Sequence, residues 1–128
     1  MTMRYKILST TEVSDERVLD MICGAFEGGS NYWIDRVRAV QPLLPAGTGV
    51  VWYARPEFYA DPNWCFRVWV QQGTKAGYHA NSGCVYAAIT KMAEDYPSDW
   101  ADLINENDDA NTHDLFMQLL VLGEVIYG

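Results

Sequence analysis

Trp64, Phe66, Val68 and Val70 alternate with Cys65, Arg67, Trp69 and Gln71 along one unbroken run. That period of two commits the middle of the chain to a β-strand with one buried face, ending at Gly73. From Asn81 or Ser82 the period changes. Val85, Ile89, Met92 and Tyr96 recur at helical spacing as a buried stripe to about Asp95, and Pro97 stops the run. A chain that switches from alternation to helical periodicity in this way is read as α+β.

The flanking segments fill in the order. Residues 3–9 alternate as a short first strand with Tyr5 and Ile7 on one face. Ser14 caps a helix over about 15–27, with Asp15 and Glu16 at its positive end, Val18, Leu19, Ile22 and Phe26 on one side, and Gly28-Gly29 as the stop. Residues 30–40 are ambiguous: Trp33, Val37 and Val40 suit a helix, while the β-branched and aromatic residues suit a turn and then a strand, which is preferred; a loop marked by Pro42, Pro45, Gly47 and Gly49 follows. Val50–Ala54 reads as a strand ending before Pro56. Ser98 caps a short helix bearing Trp100, Leu103 and Ile104. Asn111, with Asp114 three residues on, caps a last helix through Leu115, Leu119 and Leu122 that Gly123 breaks. The whole is one domain, 1–128: a small, mainly antiparallel sheet of about four strands with three to four helices packed on one face. With 128 residues, 49% of them apolar, the chain is long enough to bury a core. Trp69, on the polar side of its strand, is expected to be the most exposed of the five tryptophans.

Charge is distributed unevenly. All nine lysines and arginines lie at or before Lys91, and residues 94–128 carry nine carboxylates with no basic side chain, so the net charge of −8 comes from the last quarter. Such a field repels nucleic acid and attracts basic surfaces. Exposed helices normally mix signs for i,i+4 pairing. A partner rich in Arg and Lys would relieve the repulsion. The side chains expected to meet such a partner are Asp99, Asp102, Glu106, Asp108, Asp109 and Asp114. A second constellation sets Arg36, Arg38, Arg67, Trp69 and Tyr78 as candidates for stacking on, and ion-pairing with, an anionic nucleotide-like ligand.

Reactive chemistry is sparsely signalled. Cys84 at a helix entrance with His79 five residues before it has the elements of a thiolate and its base. No third group or oxyanion hole accompanies them, so catalysis is not expected. Cys23, Cys65 and Cys84 form no disulfide or zinc spacing, which points to reduced thiols in a cytoplasm. Asn105, Asn107, Asp109 and Asn111 alternate like a calcium loop, but Ala110 and Phe116 stand where Gly and Glu are required. His113-Asp114 is too sparse for a metal. No cofactor is expected, nor direct nucleic-acid binding. The N-terminus does not read as a signal peptide, and no apolar run is long enough to span a membrane.

The segment Ala25-Phe26-Glu27-Gly28-Gly29-Ser30-Asn31-Tyr32-Trp33, with the ending Leu122-Gly123-Glu124-Val125-Ile126-Tyr127-Gly128 after Asp109-Ala110, resembles a family of small acidic proteins encoded by bacteriophages and prophages. The resemblance covers the two ends and not the middle, residues 41–81, and Ile34 stands where the family pattern has cysteine. It implies a phage origin and a bacterial host cytoplasm, and it carries no assigned activity. The leading expectation is therefore a non-enzymatic accessory protein. Its acidic face would mimic nucleic acid and inhibit a basic host protein, such as a CRISPR effector or restriction enzyme. The alternatives are a sponge for an anionic nucleotide signal, as a homo-oligomer, and a phage structural or assembly protein.

Overall fold

The computed structural model describes residues 11–71 and 77–128; the strand expected over residues 3–9 lies outside them. Helix α1 (Asp15–Gly24) starts where Ser14 Oγ accepts the Arg17 N–H at 3.2 Å. It continues as a π-turn over Ala25–Gly29, closed by the Ser30 N–H donating to the Ala25 carbonyl at 2.8 Å. Helical geometry thus ends at Gly29, divided into two forms where one helix to about residue 27 was expected. The strand β1 (Ile34–Gln41) follows.

Residues 50–54 correct the expectation of a strand. They form a single 3₁₀ turn over Trp52–Ala54, and Pro56 then opens an unforeseen short helix α2 (Pro56–Ala60). A strand would send Trp52 and Tyr53 to opposite faces. The turn lets both rings meet Phe26, at centroid distances of 6.3 and 5.1 Å. Proline at the first helical position lacks only a donor that would be unpaired there anyway.

β2 (Cys65–Val70) and β3 (Tyr78–Asn81) complete a three-stranded antiparallel sheet of order β1-β2-β3 among the described residues. Three helices follow: α3 (Ser82–Asp95), α4 (Pro97–Ile104) and α5 (Ala110–Leu122). The fold is α+β, with five α-helices and three strands among the described residues; the expectation was three to four helices and about four strands, one of which lies outside those residues.

Two caps are corrected. Tyr96 precedes α4, with Pro97 in the first turn and no side-chain bond from Ser98. For α5 the cap is Asp109, not Asn111: its carboxylate accepts the Asn111 and Thr112 N–H groups, and Thr112 Oγ1 accepts the Asp109 N–H. Gly123, at φ 76°, ends α5 in the left-handed conformation that glycine adopts at least cost.

Phe66, Val68 and Ala80 from the sheet are buried with Met21, Ile22, Phe58, Met92, Phe116 and Met117. In α3 the buried side chains are Ala88 and Met92; Val85, Ile89 and Tyr96 are only half-buried, because the helix crosses the rim of the core. α5 runs through the middle, fully buried along Leu115–Leu120. The π-turn approaches it so closely that a Cβ on Gly29 would collide with the Ala110 carbonyl oxygen. No helix among the described residues is long and apolar enough to cross a membrane.

Candidate functional site

Alternation in β1 and β2 sorts side chains to two faces. Val37, paired with Val68, and Ala39, paired with Phe66, point inward; Arg36 pairs with Trp69, and Arg38 with Arg67. The outward set meets around one ring. The guanidinium carbons of Arg36, Arg67 and Arg38 lie 4.2, 4.7 and 5.8 Å from the Trp69 ring centroid. Directly opposed like charges destabilise a sheet. Here the electron-rich face of the indole offsets part of that repulsion. No carboxylate among the described residues lies within ion-pair distance of Arg36, Arg38 or Arg67. Arg67 Nε is buried and has no hydrogen-bond partner among them. A local arrangement that breaks the rules of sheet pairing without an internal counter-charge is where function is found more often than chance.

Two expectations about this cluster change. Trp69 is 9% exposed, not the open indole that its polar-side position implied; the three guanidiniums lie near its ring and Gly77 beside its pyrrole edge. It organises the arginines rather than offering a stacking face. Tyr78 pairs with Val68, on the inward-facing parity, so it does not join the guanidiniums. His79, opposite Arg67, does share their face and is exposed.

The carboxylates divide into two groups. Asp108, with a side chain 8% exposed, accepts from Arg17 Nη2 at 2.9 Å and lies 2.6 Å from His113 Nε2. Burial alone would raise its pKa. The bonds from Arg17 and His113 outweigh that and hold it below the usual carboxylate range. Asp109 is the α5 cap, and the Thr112 N–H draws its pKa down first of all. Asp114 accepts from Tyr32 Oη at 2.6 Å and from Ser30 Oγ and Trp33 Nε1 at 2.7 Å. Asp108, Asp109 and Asp114 thus hold bonds within the fold, and the other three carboxylates expected to meet a partner, Asp99, Asp102 and Glu106, do not share in them. Asp102 and Glu106 are exposed. Asp99 has its pKa raised by partial burial, then by the negative charges of Asp102 and Asp109.

The Asp114 cluster had no signal in sequence spacing. Gln118 extends it: its Oε1 accepts the Ile126 and Tyr127 N–H groups at 2.8 Å each, and the Tyr127 ring stacks on Trp33 at 5.3 Å. Tyr32, although half-exposed, has its phenol pKa pushed up to about 12 by desolvation and by the bond to Asp114. The two ends that carry the family resemblance therefore meet in one hydrogen-bonded knot.

Cys84 Sγ donates to Asn81 Oδ1 at 3.5 Å and makes no bond to His79, so the two do not form a dyad. No group of three metal-ligating side chains occurs among the described residues.

Comparison of the chain with protein-family models, curated proteins and solved structures finds no match in any of the three.

Proposed function

We propose that this chain is a non-enzymatic accessory protein that captures a small anionic ligand of the nucleotide class on the outer face of its sheet. One observation carries the reading: three guanidiniums gathered over a single indole, with no carboxylate partner among the described residues. Guanidinium groups bind phosphate through paired N–H donors and stack on bases. The helices, read as covering the other face of the sheet, keep most of the acidic charge away from this one. The resemblance of the chain's ends to phage-encoded proteins supports a phage origin, action in a bacterial cytoplasm, and a role as a sponge for a host nucleotide signal.

The test is thermal denaturation of the chain against a panel of nucleotides and inorganic phosphates. A ligand held at a hundred times its Kd stabilises by about 2.7 kcal/mol, which moves the melting temperature measurably. At least one phosphate-bearing compound should raise it, and the Arg36→Gln/Arg38→Gln variant should abolish the rise while melting normally by itself. A melting temperature indifferent to every anion in the panel removes the proposal.

A second reading, an inhibitor that engages a basic host protein through an acidic face, is favoured by the crowding around Asp99. There, partial burial and then the negative charges of Asp102 and Asp109 raise its pKa. Its contacts would be Asp99, Asp102 and Glu106. Charge reversal of those three should abolish capture of a basic partner without unfolding the chain.

A further inference from the structure

We infer that the ligand of the arginine face is a compact nucleotide carrying two phosphate groups, and not a nucleic-acid strand; this rests on the reading of that face as an anion site. All three guanidinium carbons sit within 5.8 Å of one ring centroid, so no two of them are more than about 10.5 Å apart. Three positive charges that close repel one another, and two phosphate groups set against different guanidiniums relieve more of that repulsion than one phosphate held between two of them. Two phosphate groups of one small ligand, adjacent or set across a ring, fall within that separation and present enough oxygens for more than one bidentate guanidinium contact.

The rest of the molecule selects against length. The net charge is −8 although this face is positive, so the negative field belongs to surfaces beyond the cluster. Screening reduces interactions over about 8–10 Å at ordinary salt, so a ligand no larger than the cluster feels the arginines far more than the distant carboxylates. A strand that runs past the cluster carries further negative charges into the net negative field of the chain and is repelled. The base is recognised by stacking on a guanidinium, since the Trp69 ring is already covered. Arg36 and Arg38 are exposed and available for this, while Arg67, half-buried with an unpartnered Nε, supplies the fixed charge beneath.

Titration calorimetry on the full chain at about 150 mM salt compares ADP, cyclic di-GMP, AMP, inorganic pyrophosphate and a short oligothymidylate. ADP or cyclic di-GMP should bind about tenfold or more tightly than AMP, pyrophosphate and the oligonucleotide. The tighter of the two distinguishes a terminal diphosphate from a two-nucleotide ring. Arg36→Gln and Arg38→Gln, both at exposed positions, should each lower that affinity about tenfold. The inference is overturned if AMP or pyrophosphate equals the two-phosphate nucleotides, or if the oligonucleotide is the tightest ligand. In both cases the broader reading of an anion site survives. Binding by none of the five would remove both.

Discussion

Asp114 accepts three hydrogen bonds of 2.6 to 2.7 Å, from Ser30, Tyr32 and Trp33, partners 81 to 84 residues away in sequence. Ser30 is wholly buried and Trp33 is 2% exposed, so neither donor has water to fall back on. Removing the carboxylate leaves both unsatisfied, and each costs about 1–3 kcal/mol. Asp114→Ala is therefore expected to lower unfolding free energy by about 3 kcal/mol in urea titration, from the two orphaned donors together. Asp114→Asn keeps one acceptor oxygen and should lose less. A loss well below 1 kcal/mol for Asp114→Ala would mean that the knot is ornamental. From sequence this residue is expected to meet a partner, and nothing local shows the bonds that it makes within the fold. A carboxylate on an acidic helix looks solvated until the donors that claim it are seen, and those donors come from the far end of the chain. Asp109 differs: its capping role follows from residues two and three positions on, so the bonds to Asn111 and Thr112 were within reach of a closer local reading.

The elements whose burial is decided along their own length were the legible ones. β2 alternates because one face meets the core, and α3 begins and ends where Ser82 and Pro97 put it. Trp52–Ala54 was misread because its aromatic and β-branched residues have high strand propensity, whereas contact with Phe26 decides the conformation. Of the side chains expected to meet an anionic ligand, the fold brings Arg36, Arg38, Arg67 and Trp69 together, while Tyr78 stands on the other parity, which only the β2–β3 register reveals. Contacts between elements also set the response to acid. Arg17 on α1 donates to Asp108 in the turn before α5, and to the Leu103 carbonyl at the end of α4, so one guanidinium ties three helices. The folded pKa of Asp108 is lowered. The stability it contributes is accordingly present above the ordinary carboxylate pKa of about 3.9 and lost as pH falls through the lower folded value. Asp108→Asn should cost about 2 kcal/mol at neutral pH, since it weakens a largely buried ion pair. The gap to the parent chain should close below about pH 4. A gap that persists unchanged in acid would show that packing, not charge, accounts for the loss.

At the largest distances the charges divide the molecule into a sheet face with unpaired arginines and a helical surface where carboxylates crowd, with Arg17, bound to Asp108, as a cation beside them. Asp99 marks the second surface: its folded pKa is raised, so the charged form costs stability at neutral pH, and the cost is relieved as pH falls through that raised value. Asp102 is the nearest cause after burial, with Asp109 behind it. Neutralising the first two as Asp99→Asn/Asp102→Asn takes the net charge from −8 to −6 and leaves the hydrogen bonds of Asp108, Asp109 and Asp114 in place. The double variant should melt higher than the parent chain at low salt. The difference should shrink towards zero near 1 M salt, where screening acts within about 3 Å. The experiment separates two origins for the acidic surface. Repulsion that salt relieves is a standing cost of keeping those carboxylates together, and a cost retained in the free chain is what a basic partner would remove on binding. Equal melting temperatures at low salt, or a gap indifferent to ionic strength, would mean that the carboxylates are far enough apart to be ordinary solvated charge, and the second reading of this protein would lose its physical basis.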